Sequence, residues 1–217
     1  MKMYELLRNA ALSIGGAFIL GSATPAVADD TKTYPTFNKG YNTFEVSTDA
    51  KGSKTYRLTT NNSVDFENLR VTHNAINNYF PTTDKIKGAN RIAVGSKDLP
   101  IEAVGVFKPG AKTGYAKGGL RYNLSKTGFL DVVTDGSSIE IGVVYPITLL
   151  KRSDRPLLTG RVIAGAEHFM TGKKKGKTDL TSELELNAML NENLFGFGRV
   201  TLTGSKPRYE IGVGVKF

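Results

Sequence analysis

Apolar and polar residues alternate along most of the chain from residue 99 to residue 217. The alternating segments are about as long as a membrane-crossing strand, and short polar or glycine-containing turns separate them. The most regular segment is 139–145, where Ile139, Ile141 and Val143 alternate with Glu140 and Gly142. The pattern predicts an antiparallel β-meander.

Eight such segments follow one another. They cover residues 99–107, 114–124, 129–133, 139–145, 157–169, 180–190, 194–203 and 208–217. Pro146 is expected to end the fourth, because proline cannot donate a hydrogen bond to a ladder. The fold class is therefore all-β, an up-and-down antiparallel barrel of about eight strands, an even number as in bacterial single-chain barrels.

Residues 29–98 specify their structure weakly, being rich in Asn, Thr and Lys. One hairpin is predicted, in which 43–47 pairs with 54–59 across a turn at 49–52. A short amphipathic helix is predicted from apolar spacings of three and four, ending at Pro81; it contains Phe66, Leu69, His73, Ile76 and Phe80. We expect the region to be an appendage, a plug, or two to four further strands, which would give a barrel of ten to twelve strands in total.

The first 28 residues have the pattern of a cleaved secretory signal peptide. Lys2 and Arg8 make the first eight residues positively charged, residues 10–20 are almost wholly apolar, and residues 26–28 are small residues before Asp29. The domains are thus a signal peptide at 1–28, an N-terminal region at 29–98 and a barrel at 99–217. The chain has no cysteine, which excludes disulfides, thiolate metal sites and a lipid-bearing thiol.

The last nine residues carry the most specific pattern. Apolar residues occupy alternate positions up to a terminal aromatic residue: Tyr209, Ile211, Val213, Val215 and Phe217. This resembles the terminal strand of outer-membrane β-barrel proteins of Gram-negative-type bacteria, although that family often has an aromatic residue where Val215 stands. The resemblance implies an outer-membrane location and recognition of this strand by the barrel-assembly machinery. A soluble secreted β-sandwich used as a binding module is the alternative.

Charged residues occupy the faces opposite the apolar ones, and most neighbours differ in sign. They are Glu102, Arg121, Asp131, Glu140, Arg161, Glu183, Glu185, Arg199 and Glu210. Facing side chains on adjacent strands lie close enough to pair, so these residues predict a charge network in the lumen. Since an eight-stranded interior has room only for its own side chains, the network would leave a filled, poorly conducting barrel.

The chain is basic, with a net charge of +9. The family resemblance implies a periplasmic C-terminus, which places the turns 108–112, 135–136, 171–177 and 204–207 outside. The basic residues in and directly beside these turns are Lys108, Lys112, Lys173, Lys174, Lys175, Lys177, Lys206 and Arg208. The expected partner is outer-membrane lipid, with these cations near lipopolysaccharide phosphates. No nucleic-acid-binding motif is present, and none is expected in an exported protein.

Catalytic and cofactor motifs are weak. The segment 172–178 resembles a phosphate-binding loop but has three residues between its glycines where the motif needs four. His73 and His168 share no metal-ligand spacing. We therefore expect no cofactor, no metal and no catalysis, but a structural or surface-interaction role. Two alternatives remain, a porin-like channel for small solutes and an outer-membrane lipid-modifying enzyme that uses His168.

Overall fold

The structure is a computed structural model, which describes residues 36–40, 42–108, 115–125, 127–152 and 155–217. The predicted signal peptide lies outside the described residues. Two short 3-10 turns, Pro81–Thr83 and Gly172–Lys174, are the helical elements of the described chain. Neither these nor any other helix among the described residues has the length and apolarity to cross a membrane.

The remaining regular structure consists of thirteen antiparallel strand segments in one sheet. They are β1 Thr36–Lys39, β2 Thr43–Asp49, β3 Lys54–Phe66, β4 Leu69–Phe80, β5 Lys85–Ser96, β6 Ile101–Lys108, β7 Tyr115–Asn123, β8 Phe129–Thr134, β9 Ser138–Arg152, β10 Arg155–Phe169, β11 Thr178–Met189, β12 Leu194–Thr203 and β13 Lys206–Lys216.

The sheet closes on itself. Each strand from β2 to β13 pairs with the next in sequence, and β13 pairs back with β2. The short β1 lies beside the far half of β3, in line with β2, so these two segments occupy one place in the wall. Twelve strands therefore surround the interior. The all-β up-and-down barrel and its resemblance to outer-membrane β-barrel proteins are confirmed, whereas the predicted number of about eight strands is wrong and the β-sandwich alternative is excluded.

The N-terminal region supplies the missing strands. The predicted hairpin is formed, with β2 and β3 paired from Thr43 opposite Thr59 to Thr48 opposite Lys54. The predicted helix is wrong, because its residues lie in β4, which pairs along its length with β3 and β5. Two hydrogen-bonded neighbours satisfy the backbone of this asparagine-rich segment, and this tertiary pairing overrides the helical spacing of its apolar residues.

The strand predicted to end at Pro146 continues to Arg152. Pro146 pairs with Arg161 of β10, while the pairing of β9 with β8 ends at Val144 opposite Phe129. Beyond that point the described residues give β9 a strand neighbour on one side only. A proline is tolerated there because an edge position does not need its N–H in a ladder.

The two faces of the wall differ in polarity. Outward residues are apolar, and Leu120, Leu180 and Ile211 are 61%, 60% and 74% exposed. Exposed aromatic residues occur near both ends of the barrel, for example Phe107 at one end and Tyr122 at the other. Such an apolar exterior with a polar interior is the arrangement of membrane-spanning barrels.

Both ends can be identified from the connections. What we call the terminal end is where β1 begins and β13 ends, together with the turns at 67–68, 97–100 and 190–193. The turn end is opposite, with turns at 50–53, 135–137, 170–177 and 204–205. At the turn end, Asp135 accepts hydrogen bonds from the backbone N–H and hydroxyl of Ser137 and from the N–H of Ser138. Some loss of hydration opposes the ionised form of this exposed residue, but these hydrogen bonds outweigh it and lower the pKa of Asp135 to about 2.

Candidate functional site: the charged interior of the barrel

Arg199 is the centre of the largest ion cluster inside the barrel. Its guanidinium on β12 donates to Glu45 of β2 and to Glu185 of β11. Two further carboxylates, those of Glu183 and Glu210, lie 3.5 Å from its nitrogens. Only 2% of Arg199 is exposed, so four acidic side chains surround one fully buried cation.

Two more arginines extend this cluster across the lumen. Arg57 of β3 makes a paired contact with Glu183 of β11, at 2.5 and 2.7 Å. Three strands, β2, β13 and β12, lie between these two along the wall. Their contact therefore follows a chord through the interior. Arg161 of β10 donates to both oxygens of Glu185 at 3.1 Å.

A second cluster surrounds Arg121 on the other side of the barrel. Arg121 of β7 makes a paired contact with Asp131 of β8, at 2.7 and 3.0 Å. It also donates to Asn74 of β4, a strand separated from β7 by β5 and β6. The Arg121 guanidinium stacks over the Phe129 ring at 3.8 Å. Arg91 of β5 lies 3.1 Å from the same aspartate. This cluster also spans part of the interior.

A third cluster lies inside the barrel near its turn end. Lys117 of β7 contacts Glu167 of β10 at 2.7 Å and Glu140 of β9 at 3.5 Å. Lys108, the last residue of β6, contacts Glu140 at 2.6 Å. These pairs again join strands that are not neighbours, so they narrow the lumen at this end.

The residues predicted for the lumen all lie on the inner face, where most are more than nine-tenths buried and Glu140 is half-buried. The ion clusters bring together every one of them except Glu102. That residue is 3% exposed and opposite Arg121 in the β6–β7 register, but it makes no salt bridge within the described part of the chain.

Sequence reasoning missed several members of these clusters: Glu45, Arg57, Asn74, Arg91, Lys117 and Glu167. For Glu45 and Arg57 a signal was present, because both lie in the hairpin that was predicted and share a face with its Ser and Thr residues. Asn74 and Arg91 lie on strands that were not predicted, whereas Lys117 and Glu167 lie on predicted strands and were overlooked there. Which charges meet depends on the closure of the barrel.

The wall formed by β12 and β13 has aromatic rings packed on glycines. Phe195 and Phe197 are opposite Gly214 and Gly212 in register, and both rings are buried. A Cβ atom added at Gly214 would lie 2.3 Å from Phe195 Cζ, and one at Gly212 would lie 2.8 Å from Phe197 Cζ. Only glycine therefore leaves room for these rings. Arg199 stacks over Phe197 at 4.6 Å, which links this wall to the largest ion cluster.

The residues predicted as a basic outer patch divide into two groups. Lys108 and Arg208 turn toward carboxylates of the inner face, with Arg208 3.2 Å from Glu210. In the turn, Lys174 contacts Asp179 at 2.6 Å, and this hydrogen bond raises the pKa of Lys174. Exposed turn positions are occupied by Lys173, Lys175 and Lys177. Lys112 lies outside the described residues, and the side chain of Lys206 is not among those described.

The terminal-strand residues occupy the outer face. Tyr209, Ile211, Val213 and Val215 are 58%, 74%, 55% and 46% exposed, and the terminal Phe217 is 43% exposed. This alternation is what a membrane-facing strand requires. Recognition by an assembly machinery stays a prediction.

His168 lies at the outer rim of β10. Its Nδ1 is 3.0 Å from the Thr178 hydroxyl. The neighbouring Glu167 points the other way, into the lumen, where it contacts Lys117. His168 therefore has no adjacent carboxylate to orient it as a general base within the described residues.

Two adjoining cavities occupy the terminal-end half of the lumen. The larger has a volume of about 450 Å³ and the smaller about 390 Å³. They share Asn61, Asn74, Thr127 and Phe129 in their walls, and the smaller reaches the turn at 97–100. The terminal-end half of the interior thus holds open space, which residues of the Arg121 cluster border, and the third cluster narrows the lumen toward the turn end.

No protein-family model matches the sequence, and no curated protein matches it. Among solved structures the chain is similar to one described as a KdgM porin, at 14% identity and a TM-score of 0.45, over 82% of this chain and 99% of that chain. A KdgM porin in complex with disordered oligogalacturonate gives 15% identity, the same TM-score and the same shares of each chain. A third structure comes from a study of in-meso crystallization of membrane proteins, at 8% identity and a TM-score of 0.36, over 82% and 83%. At these TM-scores the similarity says nothing of function, which has to be inferred from the barrel itself.

Proposed function

We propose that this protein is an integral outer-membrane barrel that forms a narrow, porin-like channel for small hydrophilic solutes. The observation that carries the proposal is the pair of adjoining cavities inside a closed wall whose outer face is apolar. An apolar exterior fits the hydrocarbon of a bilayer, and a polar interior fits an aqueous passage.

The number of strands supports a passage. Strands about 4.8 Å apart and tilted by about 40° give a twelve-stranded wall a backbone diameter of about 24 Å. A filled lumen was expected for eight strands, whose side chains are just long enough to occupy the interior. Four additional strands enclose more volume than one layer of side chains fills, which is consistent with the cavities at the terminal end.

The ion clusters give the proposed channel its constriction. The bond between Arg57 and Glu183 and that between Lys117 and Glu167 both join strands that are not neighbours. Chords of this kind reduce the open cross-section. We therefore expect a small single-channel conductance.

The position in the envelope belongs to the same proposal. The signal peptide would export the chain, and the last strand would direct its assembly into the outer membrane. With the terminal end facing the periplasm, the exposed Lys173, Lys175 and Lys177 would lie among lipopolysaccharide phosphates.

Conductance in a planar lipid bilayer tests the channel. The purified, detergent-extracted protein should shift in gel mobility on boiling, as a closed barrel does, and should give discrete small current steps. Replacing Arg57 and Glu183 together by serine should raise the conductance, because both ends of one chord are removed.

The matched control replaces Lys174 and Asp179 together by serine. This pair is also an ion pair, but it lies at the turn end, where the side chains of Lys174 and Asp179 are 54% and 51% exposed and do not cross the lumen as a chord, so the conductance should not change. A heat-modifiable wild-type protein that gives no current would overturn the channel and favour the filled barrel with a structural role.

A further inference from the structure

The larger interior cavity is lined by polar side chains of which three have a buried atom without a hydrogen-bond partner. Thr59 Oγ1, Arg161 Nε and Asn187 Oδ1 have no hydrogen-bond partner in the described part of the chain. Their residues are 5%, 8% and 5% exposed, and all three line the cavity. Buried polar atoms are normally paired, with protein or with something bound, so three such atoms around one cavity indicate an occupant.

These atoms approach the cavity from different parts of the wall. Thr59 is on β3, while Arg161 and Asn187 are on β10 and β11. Going around the barrel from β3 through β13, four strands separate β3 from β10. An occupant in the cavity can therefore bond to nearly opposite walls at once, through a hydroxyl, an N–H donor and a carbonyl acceptor.

The rest of the cavity wall includes apolar surface. Phe129 and Val144 are directly opposite each other in register, and both line the cavity together with Pro146 and Ile76. An occupant with polar edges alone would leave this surface against water. One that also has apolar C–H faces would cover it.

The two arginines that border the cavity are already compensated. Arg161 donates to both oxygens of Glu185, and Arg91 is 3.1 Å from Asp131. An ionic solute would have to compete with these pairs for its counter-charge. A neutral solute would use the unpaired atoms and leave the pairs intact.

We propose that this cavity is a binding subsite for a neutral, polyhydroxylated solute of the saccharide class, and the proposal rests on the channel function proposed above. A sugar ring offers hydroxyl donors and acceptors at its edge and C–H groups on its faces, which matches the two kinds of wall. The volume of about 450 Å³ lies in the range of pockets that hold small molecules.

Current block by a neutral disaccharide tests the subsite. We expect maltose to reduce the single-channel current of the wild-type protein in a saturable manner, and poly(ethylene glycol) of similar size to reduce it without saturation. Replacing Thr59 by Val and Asn187 by Leu keeps the side-chain size but removes two of the unpaired atoms, together with the hydrogen bond that Asn187 Nδ2 donates to Glu185. The double variant should need at least tenfold more maltose for half-maximal block, relative to its own unblocked current.

Thr203→Val is the matched control, because Thr203 is exposed at the turn end and does not line the cavity; its half-blocking concentration should equal that of the wild type. If the channel conducts and maltose reduces its current without saturation, as poly(ethylene glycol) does, the cavity holds only water and the proposed subsite is wrong. Tighter block by glucuronate than by maltose would overturn the neutral class. If the wild type does not conduct, the channel is wrong, and calorimetric titration of the detergent-extracted protein with maltose decides the subsite separately.

Discussion

Replacing Arg199 by Met should destabilise the barrel strongly. Methionine keeps much of the length of arginine but cannot donate to Glu45 and Glu185, the two carboxylates that Arg199 bonds directly. Glu210, 3.5 Å away, also loses a nearby cation. Since Glu45, Glu185 and Glu210 are 1%, 0% and 5% exposed, the variant leaves several negative charges close together inside the wall.

The size of the effect follows from this burial. Removing one partner of a buried ion pair costs about 3–5 kcal/mol in the free energy of unfolding. Arg161 remains beside Glu185 at 3.1 Å, and lumen water can screen the carboxylates, so we expect about 3 kcal/mol. Replacing Glu45 by Gln in addition removes one of the stranded charges. The double variant should then be more stable than the sum of the two single effects predicts, by roughly 0.5–3 kcal/mol.

Urea unfolding in detergent, followed by far-UV circular dichroism, measures these free energies by linear extrapolation. Tryptophan fluorescence is not an option, because the chain has no tryptophan. Lys174→Met is the control: Lys174 and its partner Asp179 are both about half exposed, so removing the pair should change stability by less than about 1 kcal/mol. An Arg199→Met protein as stable as the wild type, or single effects that simply add, would refute the cluster as a coupled unit.

Two further predictions concern the wall and a turn. Gly214→Ala should lower stability by about 1–3 kcal/mol, since its new methyl group overlaps the ring of Phe195. Gly142→Ala is the control: this glycine is on the same inner face, a Cβ atom added there has no atom within 4 Å, and stability should not fall. Equal urea midpoints for the two variants would contradict the packing of Phe195 on Gly214. At the turn end, the lowered pKa of Asp135, about 2, means that its carboxylate stabilises the fold above pH 4 and loses this contribution as the pH falls through 2. The stability difference between wild type and Asp135→Asn should therefore shrink between pH 4 and pH 2, and a difference that is constant over this range would show that the hydrogen bonds from Ser137 do not favour the ionised form.

Local patterns were sufficient for much of the wall. In β11 and β12 the alternation of apolar and charged residues places the strand and assigns its two faces, because neighbouring side chains of a strand point to opposite sides. Leu184 faces outward and Glu185 inward, as the alternation predicts. The turn around Gly204 and the hairpin between β2 and β3 were also predicted from their turn residues.

The same reasoning failed where the local pattern was ambiguous. In β4 the apolar residues Leu69, Ile76 and Phe80 have spacings that also fit a helix, and Asn and Thr fill the positions between them. The segment forms a strand because β3 and β5 pair with it on both sides. At Pro146 the prediction ended the strand too early. The pairing of β9 with β8 stops at Val144, so Pro146 does not need to donate a hydrogen bond to β8.

By itself, then, the sequence determined an all-β chain whose strands have an apolar face and a charged face. The alternation of apolar and polar residues with a period of two is a property of each strand alone. The tertiary structure decided that twelve strands close the wall, that Arg57 meets Glu183 across the lumen, and that Thr59, Arg161 and Asn187 surround one cavity. These contacts join residues far apart in sequence. Which of them form is set by strand number and register around the whole circumference, quantities that no local segment contains.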